Sequence, residues 1–462
     1  MTAALLVGAT PVLAGPLDDP HVGSLGFSGP TTGDLTAVYW NPAALGLLQG
    51  NQFMFGASLR ATRVSVDRTP IDPMTGLPGG TQGFPSAVGR GFEQPIAWPP
   101  GPASFLGVGA GVARRFALAL AAYTPFSQKL SFDVATPTRY HLVSVDSRQL
   151  ALVSGLAIEL TDSLQVGVAP GLLFSYGHLV FDEDTALATG VENSDGAARY
   201  DLATAGTQAP SYFVVGGIHY RRAAWEAGLA YTSAPLGSGG TVKLAMERSQ
   251  VTPPPTTMTT DLSSEMRYRL PDLFTAGVTW HATRHLDAVG IVRWVRYGSY
   301  DQIKIRVVGP SSDGLLGRSL PDQLTLYRGF QDSWDMRARL VHAPLPWFRW
   351  SGTLRMETSA VPEANVNAAA VDGLKLEPGL ATEFTLGRHL RIGAGYALTW
   401  MFPVTVGTSV FNPAAAAACA SAEGDLSLPA CQTRLAGQAR PTAAGSYKML
   451  RHTLALMTTV NF

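Results

Sequence analysis

Leu390-Arg391-Ile392-Gly393-Ala394-Gly395-Tyr396-Ala397-Leu398-Thr399-Trp400-Met401-Phe402 alternates with a period of two. Leu390, Ile392, Tyr396, Leu398, Trp400 and Phe402 form one large apolar face; Arg391, Gly393, Gly395, Ala397 and Thr399 fall on the other. Successive strand residues point to opposite sides, so this division suits a strand standing between lipid and a wet lumen. The pattern returns in Phe274, Ala276, Val278 and Trp280 against Thr275, Gly277, Thr279 and His281. It returns again in Phe348, Trp350, Leu354 and Met356 against Arg349, Ser351, Thr353 and Arg355. A soluble sandwich also alternates, but seldom sets Trp and Phe opposite polar positions along so many strands. The helical period is nearly absent from about residue 52 onward.

Composition narrows the choice. Charged residues are 15% of 462, below the roughly 25% of soluble proteins, and mean hydropathy is +0.11. No run of about 18 apolar residues occurs, which excludes an ordinary helical membrane protein. The remaining route into lipid is a closed β-barrel, in which every backbone group is paired. Lys plus Arg is 34 and Asp plus Glu is 34, so no net field draws nucleic acid.

The connections are lopsided. Short links occur at Arg114-Arg115, Thr161-Asp162-Ser163, Arg221-Arg222-Ala223, Thr283-Arg284-His285, Pro344-Leu345-Pro346 and Gly387-Arg388. Long Pro/Gly/Ser/Asp-rich segments lie near 68–103, 127–142, 183–211, 234–264, 309–331, 358–373 and 403–446. Tight turns at one end and long loops at the other are the pattern of a bacterial outer-membrane barrel. The spacing predicts an all-β, antiparallel transmembrane barrel of about fourteen strands over 51–462. Its last strand carries Leu454, Leu456, Thr458, Val460 and a terminal Phe462 on one face, similar to the signal read by the barrel assembly machinery.

Residues 1–14 read as the remnant of a signal peptide, with a mature start near Gly15. Cys419 and Cys431 predict a local disulfide in an oxidising compartment, two free thiols being the alternative. Residues 15–50 do not alternate. Asn41 as N-cap, Pro42 at the first helical position and Gly46 after the last predict a one-turn helix. Tyr39, Trp40, Leu45, Leu47 and Leu48 would favour aggregation if exposed, whereas fourteen strands enclose room to bury them. An N-terminal plug is the economical reading.

Gly33-Asp34-Leu35-Thr36-Ala37-Val38-Tyr39-Trp40-Asn41-Pro42-Ala43 resembles the N-terminal hatch signature of the FadL/TodX family of outer-membrane channels. Ala122-Tyr123-Thr124-Pro125-Phe126 is similar to the family's Tyr-x-Pro-Phe motif after the third strand. Leu270-Pro271-Asp272-Leu273-Phe274, Trp294 with Tyr300-Asp301, Phe330-Gln331-Asp332-Ser333-Trp334 and Ser359-Ala360-Val361-Pro362-Glu363 follow in the family's order. The resemblance implies passive uptake of long-chain fatty acids or aromatic hydrocarbons by a monomeric barrel among outer-membrane lipid and lipopolysaccharide, without cofactor or enzymatic activity. It also implies gating by Asp34, Tyr39, Trp40, Asn41, Pro42 and Ala43. Lateral exit would pass a wall opening at Ala121, Ala122, Tyr123, Pro125 and Phe126 beside a kinked third strand. Ala stands in that strand where the family often has Gly; Gly107, Gly109 and Gly111 on the preceding strand instead offer close approach to the hatch or a neighbour.

Other constellations are weaker. Gly107-x-Gly109-x-Gly111 lacks the spacing and helix of a dinucleotide site, and no metal-ligand or nucleophile-elbow spacing occurs. Asp182-Glu183-Asp184 reads as a solvated acidic loop before a Ca²⁺ site. Asp335, Arg337, Arg339, Arg349, Arg355 and Glu357 share the lumen face by alternation. They either brace the barrel and anchor the hatch, or one arginine pairs with a substrate carboxylate. A polar-solute porin and a barrel enzyme are the alternatives to a hydrophobic channel.

Overall fold

A computed structural model describes residues 22–69, 86–93, 105–184, 197–204, 210–249, 257–308, 323–411 and 442–462, apart from single residues 24, 49, 114, 238, 301 and 328. Residues 1–14, Cys419 and Cys431 lie outside these, and with them the signal-peptide and disulfide expectations. A short helix α1 (Ala37–Trp40) and a 3₁₀ turn (Pro42–Leu47) precede the sheet.

Among the described residues twenty-one strands form one antiparallel sheet: β1 (Asn51–Arg68), β2 (Ala87–Glu93), β3 (Phe105–Ala113), β4 (Phe116–Tyr123), β5 (Ser127–Ser131), β6 (Ser144–Thr161) and β7 (Leu164–Asp184); β8 (Ala197–Thr204), β9 (Ser211–Arg221), β10 (Trp225–Thr232), β11 (Gly239–Ser249), β12 (Thr257–Arg267), β13 (Leu273–Thr283) and β14 (Leu286–Val295); β15 (Gln302–Val308), β16 (Gln323–Tyr327), β17 (Ser333–Leu345), β18 (Phe348–Glu357), β19 (Lys375–Leu386), β20 (Leu390–Val406) and β21 (Gly445–Asn461). Their pairings trace a ring of about fourteen staves, because several staves are built from two strands in line. β1 pairs with β3 at one end, over Asn51–Gly56, and with β2 at the other, over Arg60–Val66. β6 likewise pairs with β4 and then β5, and β7 with β9 and then β8. β21 closes the ring on β1, and the Phe462 N–H donates to the Asn51 carbonyl at 3.0 Å.

The expected long loops therefore hold more strand than their composition suggested. β2, β5, β8, β11 and β16, with most of β12, fall inside segments read as irregular. These pieces prolong staves past the lipid boundary, where the apolar alternation that marks a membrane strand is no longer required. The links expected at 161–163, 221–223, 283–285 and 387–388 are tight connections, whereas Pro344 and Leu345 extend β17 and the turn there falls at Pro346 and Trp347. Register shifts lie beside the short links, between Gly111 and Ala113, Glu159 and Thr161, His281 and Thr283, and His342 and Leu345. Bulges at a barrel rim bend the chain into its turn. Asp182 departs from the solvated-loop reading: it is 3% exposed at the end of β7 and accepts two hydrogen bonds from Arg199, at 2.9 and 3.2 Å.

Large apolar side chains cover the outside: Leu120 is 61% exposed, Trp280 56% and Leu380 67%. In water such a surface would drive association; in a bilayer it is the solvated one. No helix among the described residues is long and apolar enough to cross a membrane.

Candidate functional site

The described residues from Val22 to Leu48 lie against the inward face of the ring. Val22, Leu35, Ala37, Val38, Trp40, Ala44 and Leu45 are all at most 2% exposed. Asn41 is the hub. Its backbone is extended at φ −168°, its Oδ1 accepts from the Ala43 N–H at 3.2 Å, and its Nδ2 donates to the carbonyls of Pro30 (2.9 Å) and Ile218 (3.0 Å). Pro42 starts the turn as its fixed φ favours. The turn runs on to Leu47, so Gly46 lies inside it and not after it, as expected from sequence. A side chain at Gly46 would press on Gln165, its Cβ 2.9 Å from Cγ, so the position is small because the wall is near. Trp40 Nε1 donates to the Val22 carbonyl at 3.0 Å, and the Leu35 N–H donates to Gln52 Oε1 at 3.2 Å.

Glycines on the inward face make this approach possible. A Cβ on Gly217 would overlap Asn41 Oδ1; one on Gly228 would overlap the Pro30 carbonyl, on Gly167 Pro42 and Ala43, and on Gly277 the Pro30 ring. Gly155 would meet Leu45 Cδ1 at 2.7 Å, Gly109 Leu35 Cδ2 at 2.5 Å, and Gly111 the Leu48 carbonyl at 2.9 Å. Gly109 and Gly111 are the close-approach positions expected from sequence. The others were missed, although inward glycines recurring on β6, β7, β9, β10 and β13 would have revealed them.

Charge fills the adjacent lumen face. Asp335 accepts from Arg337 Nε at 3.0 Å and pairs with Arg355 at 3.0 Å. Arg355 also donates to Glu357 at 2.7 Å, and Glu357 accepts from Lys375 at 2.9 Å. Arg349 grips Glu383 through two hydrogen bonds of 2.9 Å and lies 4.4 Å above the Phe27 ring. Arg339 donates to the Ser28 carbonyl at 2.9 Å. Arg337 sits over Trp40 at 5.0 Å, while Arg293 lies over Trp40 at 4.4 Å and donates to the Tyr39 hydroxyl at 3.0 Å. Cation–π contacts contribute about 0.5–2 kcal/mol each. Arg337, Arg339, Arg349 and Arg293 thus all touch the N-terminal segment. Arg293 was not singled out from sequence, because it lies far from the 335–357 run along the chain, although β14 pairs directly with β17 and sets it opposite Asp335. Asp34 caps Thr36 from the segment itself, accepting from its N–H at 2.8 Å. Burial raises the Asp34 pKa above the ordinary 3.8, outweighing the bonds from Thr36 and the fields of Arg391 and Arg349.

The third stave is interrupted. β4 pairs with β3 as far as Tyr123↔Phe105, and the next pairing toward the second stave among the described residues is Ser131↔Arg90. Between β4 and β5 lie Thr124, Pro125 and Phe126. Pro125 has no N–H to give a ladder, and the Phe126 carbonyl is taken from the other side by the Gln149 N–H at 3.0 Å. β5 then runs so close under β2 that a Cβ on Gly91 would overlap the Lys129 carbonyl. Tyr123, 1% exposed, meets Tyr39 edge to face at 5.3 Å and stacks on Phe105 at 6.4 Å. The break therefore touches the N-terminal segment. Ala121 points inward; Ala122 lines an outer groove of about 710 Å³ with Leu120, Leu152 and Leu172. Among the described residues no His, Cys, Asp and Glu group suits a metal ion.

A ring of lipid-facing staves with a segment packed into its lumen defines an outer-membrane barrel of the transport class. Residues 25–338 match the family model of outer membrane protein transport proteins (OMPP1/FadL/TodX), and the chain belongs to that family. The fold is similar to that of a Pseudomonas aeruginosa FadL homologue, with a TM-score of 0.73 at 13% identity over 98% of this chain and 100% of that one. It is also similar to the P. putida toluene transporter TodX (0.67, 12%, 96% and 99%) and the Ralstonia pickettii toluene transporter TbuX (0.60, 14%, 99% and 99%). No curated protein sequence matches the chain.

Proposed function

We propose that the chain is a passive channel for long-chain fatty acids or aromatic hydrocarbons, gated by its N-terminal segment and releasing substrate sideways into the bilayer. The observation that carries this reading is the interrupted third stave, whose edge residue Tyr123 packs on Tyr39 of that segment. A shift of Tyr39 loosens the covering of the break, so displacement of the segment and opening of the wall are one event. Lateral release suits a greasy substrate, since each methylene kept from water is worth about 0.8 kcal/mol. Family membership and the toluene transporters of similar fold support the substrate class. The same reading has Phe462 present the last strand to the barrel assembly machinery, and needs no second copy to close the wall.

The test is uptake of tritiated oleate and radiolabelled toluene by cells expressing the protein or a version lacking residues 16–48. Saturable uptake of either compound, altered by the deletion in an assembled barrel, is the expected result. No uptake of either, with large ion conductance from the intact protein, would replace this reading with a polar-solute porin.

A further inference from the structure

Arg63 on β1 and Arg90 on β2 are direct cross-strand partners. Both point outward, and among the described residues neither is paired with a carboxylate. Like charges directly opposed on a sheet weaken it, so this arrangement calls for an anion between them. The two arginines border a recess of about 850 Å³ in the outer wall, which Lys129, Arg148, Asp146 and His178 also line. The recess exists because β5 is set inward beneath β2 after the break at Thr124–Phe126. Asp146 serves Arg148 at 2.8 and 2.9 Å and Lys129 at 3.7 Å, and His178 is held by Asp201 at 2.7 Å. Asp146 thus serves Arg148 and Lys129, and Arg63 and Arg90 have no carboxylate among the described residues.

The height of the recess identifies its occupant. Arg63, Arg148 and His178 each stand about a dozen residues from the periplasmic end of their strands; at ~3.3 Å per residue and a tilt near 40° that is roughly 30 Å, just above an apolar band about 25 Å tall. Phe53, Phe55 and Leu59 lie below Arg63 on the same face, and Leu152 lies below Arg148. Arg148 and Leu152 are about 13 Å apart along β6, so the groove at Ala122, Leu152 and Leu172 runs beneath the recess. We propose that this wall seats a phosphorylated lipid of the outer leaflet, its phosphate between Arg63, Arg90 and Lys129 and an acyl chain over the groove. A phosphate fits better than a carboxylate, because its several oxygens and higher charge can bridge opposed guanidinium forks.

The proposal rests on the outer-membrane placement and not on what the channel carries. The full chain, purified free of bound lipid, is titrated by native mass spectrometry with bis-phosphorylated lipid A, fully dephosphorylated lipid A, and oleate. The comparison proteins are Arg63→Glu/Arg90→Glu and, at a periplasmic turn, Arg284→Glu; heat-modifiable migration verifies folded barrels, and Arg90→Gln serves if the double variant does not assemble. Binding of bis-phosphorylated lipid A should weaken at least about tenfold in the double variant, as expected for lost charge-assisted contacts, stay unchanged in Arg284→Glu, and fall as salt is added. Equal binding of both lipid A forms, or unchanged binding by the double variant, would overturn it. Displacement of bis-phosphorylated lipid A by equimolar oleate would also overturn it, by assigning the recess to a carboxylate.

Discussion

Asn41 Oδ1 occupies the space that a side chain at position 217 would need. Asn41 cannot yield cheaply, because its amide is already committed to Ala43, Pro30 and Ile218. Gly217→Ala should lift the N-terminal segment from the wall at a cost of about 1–3 kcal/mol, the usual range for overpacking. Single-channel conductance should rise in an assembled barrel. Gly290→Ala, where nothing lies within 4 Å of the added Cβ, should leave conductance unchanged.

Asn41→Ala removes three hydrogen bonds at once, two of them buried. At about 1 kcal/mol each, the turn's cap among them, docking should weaken by roughly 2–4 kcal/mol. Hydrogen exchange of the peptide spanning residues 36–48 should accelerate by two orders of magnitude or so, while exchange in β17 to β21 stays slow.

Arg349→Ala distinguishes a brace from a substrate clamp. Arg349 is already occupied by Glu383 and Phe27, so oleate and toluene uptake should fall together. The stability lost should be below the roughly 3–5 kcal/mol of a fully buried pair, since Arg349 is partly exposed and Arg391 stands 3.8 Å from Glu383. Selective loss of oleate binding would instead assign Arg349 to a substrate carboxylate.

Docking of the segment should depend on pH through Asp34. Its folded pKa lies above 3.8, so the protonated acid is the form the docked state favours. The associated stability is complete below the ordinary aspartate value and is lost as pH rises through the raised one. Protection of residues 34–41 from exchange should therefore decline with rising pH. Asp34→Asn keeps an acceptor for Thr36 without the charge and should flatten this dependence.

Ala121→Trp and Ala122→Trp place bulk on the two faces of the strand that borders the break. Both should slow hydrophobic uptake several-fold with normal barrel assembly; unchanged uptake would argue that substrate leaves elsewhere.

The barrel was legible because lipid and lumen impose opposite demands on alternate residues, and Leu390 to Phe402 meets both. The buried segment was legible from Tyr39, Trp40 and Leu45, which water does not tolerate together. The glycine seat was harder to read, since a glycine in a strand can mark a bulge, a bend or a close approach; Gly167, Gly217 and Gly228 gain their meaning only from Pro30, Asn41 and Pro42 opposite.

Alternation along each strand assigned Arg337 and Arg355 to the lumen, because a charge facing lipid is too costly. Which residues they meet is a matter of register. Arg337 stands opposite Arg355, and Arg293, more than forty residues earlier in the chain, stands opposite Asp335, which binds both Arg337 and Arg355. The outward pair Arg63 and Arg90 arises in the same way, across a hairpin whose strands could slide by two residues without changing which side chains point outward. A single strand's sequence determines its faces through the pleat, whereas the partner across the ladder depends on how neighbouring strands are held, and only the closed ring decides that.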